Sequence, residues 1–158
     1  MFCKSRKNFF TTTGTKERKG KEMEPFVQKR FAPIPAETEA IGKKVLDAAY
    51  AVHSALGPGL LESVYEACLA HKLRLQKVIA DTQVVMPVMF EGIQVETGLR
   101  LDLLASNLVI VELKSVETIT PLHEAQLLTY LKVTGFRLGY LINFNVVHLK
   151  DGIKRMVN

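Results

Sequence analysis

Residues 100 to 114 run Arg-Leu-Asp-Leu-Leu-Ala-Ser-Asn-Leu-Val-Ile-Val-Glu-Leu-Lys, and no other stretch limits the fold as much. The apolar run Leu108-Val109-Ile110-Val111 reads as a strand buried on both faces, which requires a sheet covered on two sides. It ends in Glu112 and Lys114, two charges at positions where burial is costly. Residues two apart in a strand share a face, so these two point the same way, about 7 Å apart along the chain. Asp102 sits on the preceding strand, joined by a short turn at Ser106-Asn107, and can lie opposite them. Two carboxylates and an ammonium at a buried strand end suit a divalent metal and a polarised water, the chemistry of phosphodiester hydrolysis.

A solvated edge or a structural ion pair would account for the same spacing. The tripeptide alone says little, because Glu17-Arg18-Lys19 matches it in a segment without apolar periodicity. The rest of the chain has to supply the context.

At 158 residues the chain suits one domain, and its 47% hydrophobic content is enough for a real core. No apolar run is long enough to span a membrane, and the N-terminus lacks the apolar stretch of a secretory signal. The two cysteines, Cys3 and Cys68, support neither a disulfide framework nor a zinc or iron–sulfur site, so a reducing, cytoplasmic setting is expected. The net charge of +5 is unevenly placed. Residues 1 to 36 hold nine Lys/Arg against three Glu; residues 37 to 158 hold twelve Lys/Arg against thirteen Asp/Glu. The basic character therefore belongs to residues 1–36, which read as a disordered, solvated tail able to attract phosphate backbones non-specifically. Met23 is a second candidate start. Residues 37–158 form the expected single domain.

Within it, Ile41, Val45, Ala48, Ala49, Val52 and Leu56 recur at helical spacing, with Thr38 as the expected N-cap and Gly57-Pro58-Gly59 as the stop. A second helix is expected from near Leu60, with Leu61, Val64, Tyr65, Cys68, Leu69 and Leu73 inward. Residues from about 80 to 90 alternate as a strand, which Pro87 assigns to a sheet edge. Further strands are expected over Ile93–Leu104, Leu108–Lys114 and Leu138–Phe144. Pro121 opens a helix that Gly135 closes, with Leu122, Leu127, Leu128 and Leu131 as its apolar contacts. Val146–Leu149 and Ile153–Val157 read as a hairpin turned by Asp151-Gly152. The order is ααβββαβ plus a C-terminal β-ribbon, an α/β protein with a mixed central sheet flanked by helices.

Further polar residues interrupt these patterns. Glu62 occupies the first turn of the second helix, where the helix dipole by itself would favour a carboxylate. His123, Gln126 and Tyr130 lie on one face of the last helix, where a hydrated surface stripe is the alternative to a site. His53, near the end of the first helix, reads as a partly buried or surface histidine.

Together these residues form a pattern. Gly59-Leu60-Leu61-Glu62-Ser63-Val64-Tyr65 resembles the Gly-x-x-Glu-x-x-Tyr signature of the GxxExxY proteins, a family placed in the PD-(D/E)XK nuclease superfamily. The likeness runs from about Ile41 to the C-terminus and includes Asp102, Glu112-Leu113-Lys114, and His123 to Tyr130. The resemblance implies a restriction-endonuclease-like fold and a nuclease dependent on Mg²⁺ or Mn²⁺. It implies metal ligation by Asp102 and Glu112, with the Leu113 carbonyl and Glu62 completing the set. Lys114 would orient or deprotonate the attacking water, and Gln126-x-x-x-Tyr130 resembles an extra motif of related nucleases. Nucleic acid is the implied partner, DNA favoured over RNA; a chain this small is also compatible with a homodimer or a protein partner. The alternative is a non-catalytic nucleic-acid-binding or assembly module on the same fold.

Overall fold

The computed structural model describes residues 32–158. The expected tail therefore lies almost wholly outside the described residues. Two helices lead, α1 (Ala36–Leu56) and α2 (Glu62–Leu75), followed by strands β1 (Ala80–Phe90), β2 (Ile93–Ala105) and β3 (Val109–Lys114). Helix α3 (Pro121–Thr134), strand β4 (Leu138–Asn143), a short 3-10 turn (Leu149–Gly152) and strand β5 (Ile153–Val157) complete it. The five strands form one mixed sheet in the order β1-β2-β3-β4-β5. Only β3 and β4 are parallel, with α3 as their crossover.

The sheet has a separate core on each side. Val45, Ala48, Ala49 and Val52 of α1 and Tyr65, Leu69 and Leu73 of α2 pack with Val109, Val111 and Leu113. Leu127 and Leu131 of α3 pack with Ile110, Leu101 and Leu141 on the other side. All six residues of β4 and five of the six in β3 are buried, as a strand covered on both faces requires. Strand β1 is an edge, and Pro87 falls where its pairing with β2 shifts register between Met86 and Val88, a position where a missing N–H costs no ladder bond. Among the described residues no helix is long and apolar enough to cross a membrane.

Four local expectations are corrected. Thr38 is not the N-cap: Pro35, with its fixed φ, occupies that position, and Thr38 is buried inside the first turn. Helix α2 starts at Glu62, and Leu61 is 74% exposed with Val64 also exposed, because the inward stripe is Tyr65, Leu69 and Leu73 at a spacing of four. On α3 only Leu127 and Leu131 are buried; Leu122 and Leu128 face outward, about a quarter turn or more from that stripe. The C-terminal ribbon does not form either. Residues 149–152 make a 3-10 turn tucked against β4, so close that a Cβ on Gly152 would sit 2.2 Å from the Asn143 carbonyl oxygen. Ile153–Val157 then pairs antiparallel with β4, whose edge would otherwise carry unpaired backbone groups.

Candidate active site

Strands β2 and β3 are joined by a tight turn in which Ser106 and Asn107 both take positive φ, 49° and 53°. The pairing then runs Ala105–Val109, Leu104–Ile110 and Leu103–Val111. One step further Asp102 and Glu112 would face each other, and there the ladder stops. The Leu113 N–H donates instead to Oδ2 of Asp102, at 2.9 Å. A side chain has replaced a backbone carbonyl as acceptor, so the strands part without leaving a buried donor unpaired.

A change of face occurs at the same place. Leu101 packs into the α3-side core and Leu103 into the α1/α2-side core, although residues two apart in a regular strand share a face. On the neighbouring strand Val84 pairs with Leu101 and Thr82 with Leu103, while Gln83 between them takes φ +54° and breaks the pairing opposite Asp102. The kink in β1 and the change of face in β2 thus meet at the carboxylate. Positive φ at a non-glycine residue carries a cost and recurs at functional sites.

Glu112 is 2% exposed. Its neighbours Val111 and Leu113 enter the α1/α2-side core, so Glu112 and Lys114 project to the α3 side. Lys114 Nζ lies 2.8 Å from Oε1 of Glu112, and its side chain is 14% exposed. Oε2 of Glu112 is buried with no hydrogen-bond partner. Burial pushes the Glu112 carboxyl above its ordinary value; the Lys114 bond and charge oppose that shift, and Asp102 and Glu62 add to it. Burial works against the Lys114 charge as well, but the bond to Glu112 and the negative field of Glu112, Asp102 and Glu62 outweigh it, so its pKa is raised. Lys114 is therefore held as an ammonium.

Glu62 reaches the site from α2. Its Oε1 accepts the Ser115 N–H at 3.0 Å, and the Ser115 hydroxyl donates to the Leu60 carbonyl at 2.6 Å. The entry to α2 is organised by Tyr65. Its hydroxyl donates to Gly57 O at 2.7 Å and accepts from Leu60 N at 3.1 Å, while its ring stacks on Phe144 with centroids 4.4 Å apart. Gly59 takes φ +97°, where a side chain would be strained. The Gly-x-x-Glu-x-x-Tyr spacing thus has a local cause: the glycine makes the bend, the tyrosine fixes it, and the glutamate is delivered to the end of β3.

Glu62, Ser63, Glu66, Gln83, Arg100 and Asp102 line a cavity of about 710 Å³, backed by Leu113 and Ser115. Glu112 and Lys114, at the end of β3, do not line it but lie within electrostatic reach of Asp102 and Glu62. Among the described residues no three His, Cys, Asp or Glu side chains close into a ready-made metal-binding group. Each carboxylate is already engaged through one oxygen: Asp102 by Leu113 N–H, Glu62 by Ser115 N–H, Glu112 by Lys114. The second oxygen of each is a hard donor of the kind that a small divalent cation takes, and that of Glu112, Oε2, is buried without a partner.

Gln126 and Tyr130 are half-buried on α3, on the same side of the sheet as Glu112 and Lys114, and Gln126 Nε2 donates to the Tyr130 hydroxyl at 2.8 Å. His123 has a capping role: its Nδ1 accepts the Thr120 N–H at 3.2 Å, while its own N–H turns to the Thr120 hydroxyl. His53 is likewise engaged, its Nε2 lying 2.9 Å from the Val146 carbonyl.

Asn143, which resembles part of the family's ending but has no role in the site on sequence grounds, is a positioning residue. Buried at the end of β4, it accepts from Val116 N at 3.1 Å and donates to Val116 O at 2.8 Å, clamping the segment that leaves Lys114. Phe144 N–H adds a bond to Lys114 O at 2.8 Å. The signal was a lone amide ending the apolar run Leu138–Ile142.

A family model described as the PD-(D/E)XK nuclease superfamily matches residues 39–156 of the chain. No curated protein and no solved structure matches it.

Proposed function

The chain belongs to the PD-(D/E)XK nuclease superfamily, and from that premise we propose that it hydrolyses phosphodiester bonds of nucleic acid with Mg²⁺ or Mn²⁺. Its mixed sheet flanked by helices is a restriction-endonuclease-like fold. The observation that carries the reading is the buried, unpartnered Oε2 of Glu112, set beside an ammonium and within the field of two more carboxylates. A buried charged oxygen left without a partner calls for an explanation, and a bound cation supplies one.

Asp102, Glu112 and Glu62, with the Leu113 carbonyl, would hold the cation. When bound, it would polarise the phosphoryl group and acidify water. Asp102 has a second task, since its bond to Leu113 N–H keeps β2 and β3 parted. Lys114, held as an ammonium, orients water and offsets charge developing on the phosphate. Gln126 and Tyr130 would position water or phosphate from the α3 side without adding charge. The Gly59–Tyr65 signature favours the GxxExxY proteins as the narrower family. DNA is the favoured substrate over RNA, and the basic residues of segment 1–36 would add salt-sensitive attraction.

Cleavage of labelled DNA and RNA panels by the full chain, with and without Mg²⁺ or Mn²⁺, tests this against Asp102→Asn. Metal-dependent cleavage lost in the variant is the expected result. The second reading, a non-catalytic binding module, is favoured by the excess of acidic over basic residues in 37–158. It predicts Mn²⁺ binding by calorimetry without cleavage of either panel.

A further inference from the structure

We propose that Arg100 is a substrate-positioning residue that clamps a backbone phosphate beside the one being cut, an inference that rests on the nuclease reading. Arg100 precedes Asp102 by two residues on β2, and the two line the same cavity. It is the one cationic side chain among the described residues lining that cavity. Glu62, Glu66 and Asp102 line it too, yet the exposed guanidinium makes no hydrogen bond or ion pair with any described residue. The carboxylates have taken neutral donors instead: Ser115 N–H for Glu62, the Gln83 amide for Glu66 and Leu113 N–H for Asp102. Arg100 is left uncommitted at the cavity wall.

A polyanion entering an acid-lined cavity meets repulsion; Lys114 lies within reach of Asp102 and Glu62 but is already paired to Glu112, whereas Arg100 stands at the cavity wall without a carboxylate partner among the described residues. A fixed, planar, permanently charged fork supplies the missing attraction and grips phosphate oxygens two at a time. Arg100 reads the backbone, not the bases, so it contributes register and affinity without sequence preference. Both DNA and RNA offer that phosphate.

The test uses the full chain carrying Asp102→Asn, so that binding is read without cleavage. Affinities for labelled single-stranded DNA and RNA are measured by fluorescence anisotropy over a salt series, with and without the additional Arg100→Ala or Arg100→Lys change. Arg100→Ala should weaken binding about 10-fold and lower the slope of log affinity against log salt by about 1. Arg100→Lys should restore the slope but only part of the affinity, since the charge remains and the fork is gone. In the cleaving background Arg100→Ala should raise KM more than it lowers kcat. Equal loss on DNA and RNA assigns the contact to phosphate; loss on one alone overturns the phosphate reading. An unchanged slope and affinity in Arg100→Ala also overturns it, even if the wild type cleaves. A binding loss in a protein that never cleaves upholds Arg100 while the nuclease reading falls. Melting curves matched to the parent exclude misfolding, and if Arg100→Ala fails to fold, Arg100→Gln carries the same comparison.

Discussion

The Asp102 carboxylate accepts the Leu113 N–H at 2.9 Å where the next rung of the β2–β3 ladder would have formed. One side chain thus ends a strand pairing and presents its second oxygen to the site.

Replacing Asp102 separates these two tasks. Asp102→Ala strips a buried N–H of its acceptor and should cost about 1–3 kcal/mol in denaturant unfolding. Asp102→Asn keeps an acceptor of the same reach and should cost less than half as much. Cleavage should vanish in both. Equal destabilisation by Ala and Asn would mean that the bond to Leu113 contributes nothing.

Glu112 offers a pH test. Burial raises its folded-state pKa above the ordinary 4.5, so the wild type loses stability as pH rises through that folded value, whereas Gln has nothing to lose. The melting temperature of Glu112→Gln relative to wild type should therefore climb as pH rises from the ordinary 4.5 toward the raised folded value, a range in which the wild-type Lys114 stays charged because Glu112, Asp102 and Glu62 raise its own pKa. Added Mn²⁺ should stabilise the wild type and leave the variant unmoved. A difference that stays flat with pH would show that Glu112 is not strained by its burial.

Lys114 shares a buried pair, so its truncation should not behave like an ordinary surface change. Lys114→Met keeps most of the stem and strands the carboxylate; a cost of about 2 kcal/mol is expected, below the 3–5 typical of a fully buried pair because Glu112 can take up a proton (about 3–5 being the usual range). Adding Glu112→Gln should recover much of that loss. Cleavage by Lys114→Met should fall about 10²–10³-fold, as on removing one preorganised electrostatic group. A cleavage rate equal to wild type would instead point to a contaminating nuclease.

Tyr65→Phe removes only the hydroxyl that ties Gly57 to Leu60, while the stack on Phe144 survives. About 1 kcal/mol of stability should go with it. Because Glu62 follows directly on that loop, cleavage should drop by more than the loss of folded protein explains. Unchanged activity per folded molecule would confine Tyr65 to a structural role.

Much of this was legible in the chain. The doubly buried β3, the Ser106-Asn107 turn, the edge position of Pro87 and the shared face of Glu112 and Lys114 follow from periodicity and dihedral preference, which act over a few residues. The same local reading misplaced Leu61, Val64, Leu122 and Leu128, since apolar spacing alone cannot say which of two adjoining stripes meets the sheet. It also paired Ile153–Val157 with the wrong neighbour, because the free edge of β4 lies in space and not in sequence.

The chemistry of the site was decided only by the tertiary structure. The contact between Ser115 and Glu62 joins residues 53 apart, and Leu113 meets Asp102 across a ladder that had to end first. The turnover of β2 at Asp102 lies opposite a positive φ at Gln83 on another strand. Which carboxylate oxygen is spent on a backbone N–H, and which is left buried and free, depends on where the strands part. Sequence fixes the residue types and their faces through short-range sterics; long-range packing chooses the partners, because a buried polar group takes whichever donor the fold brings within reach.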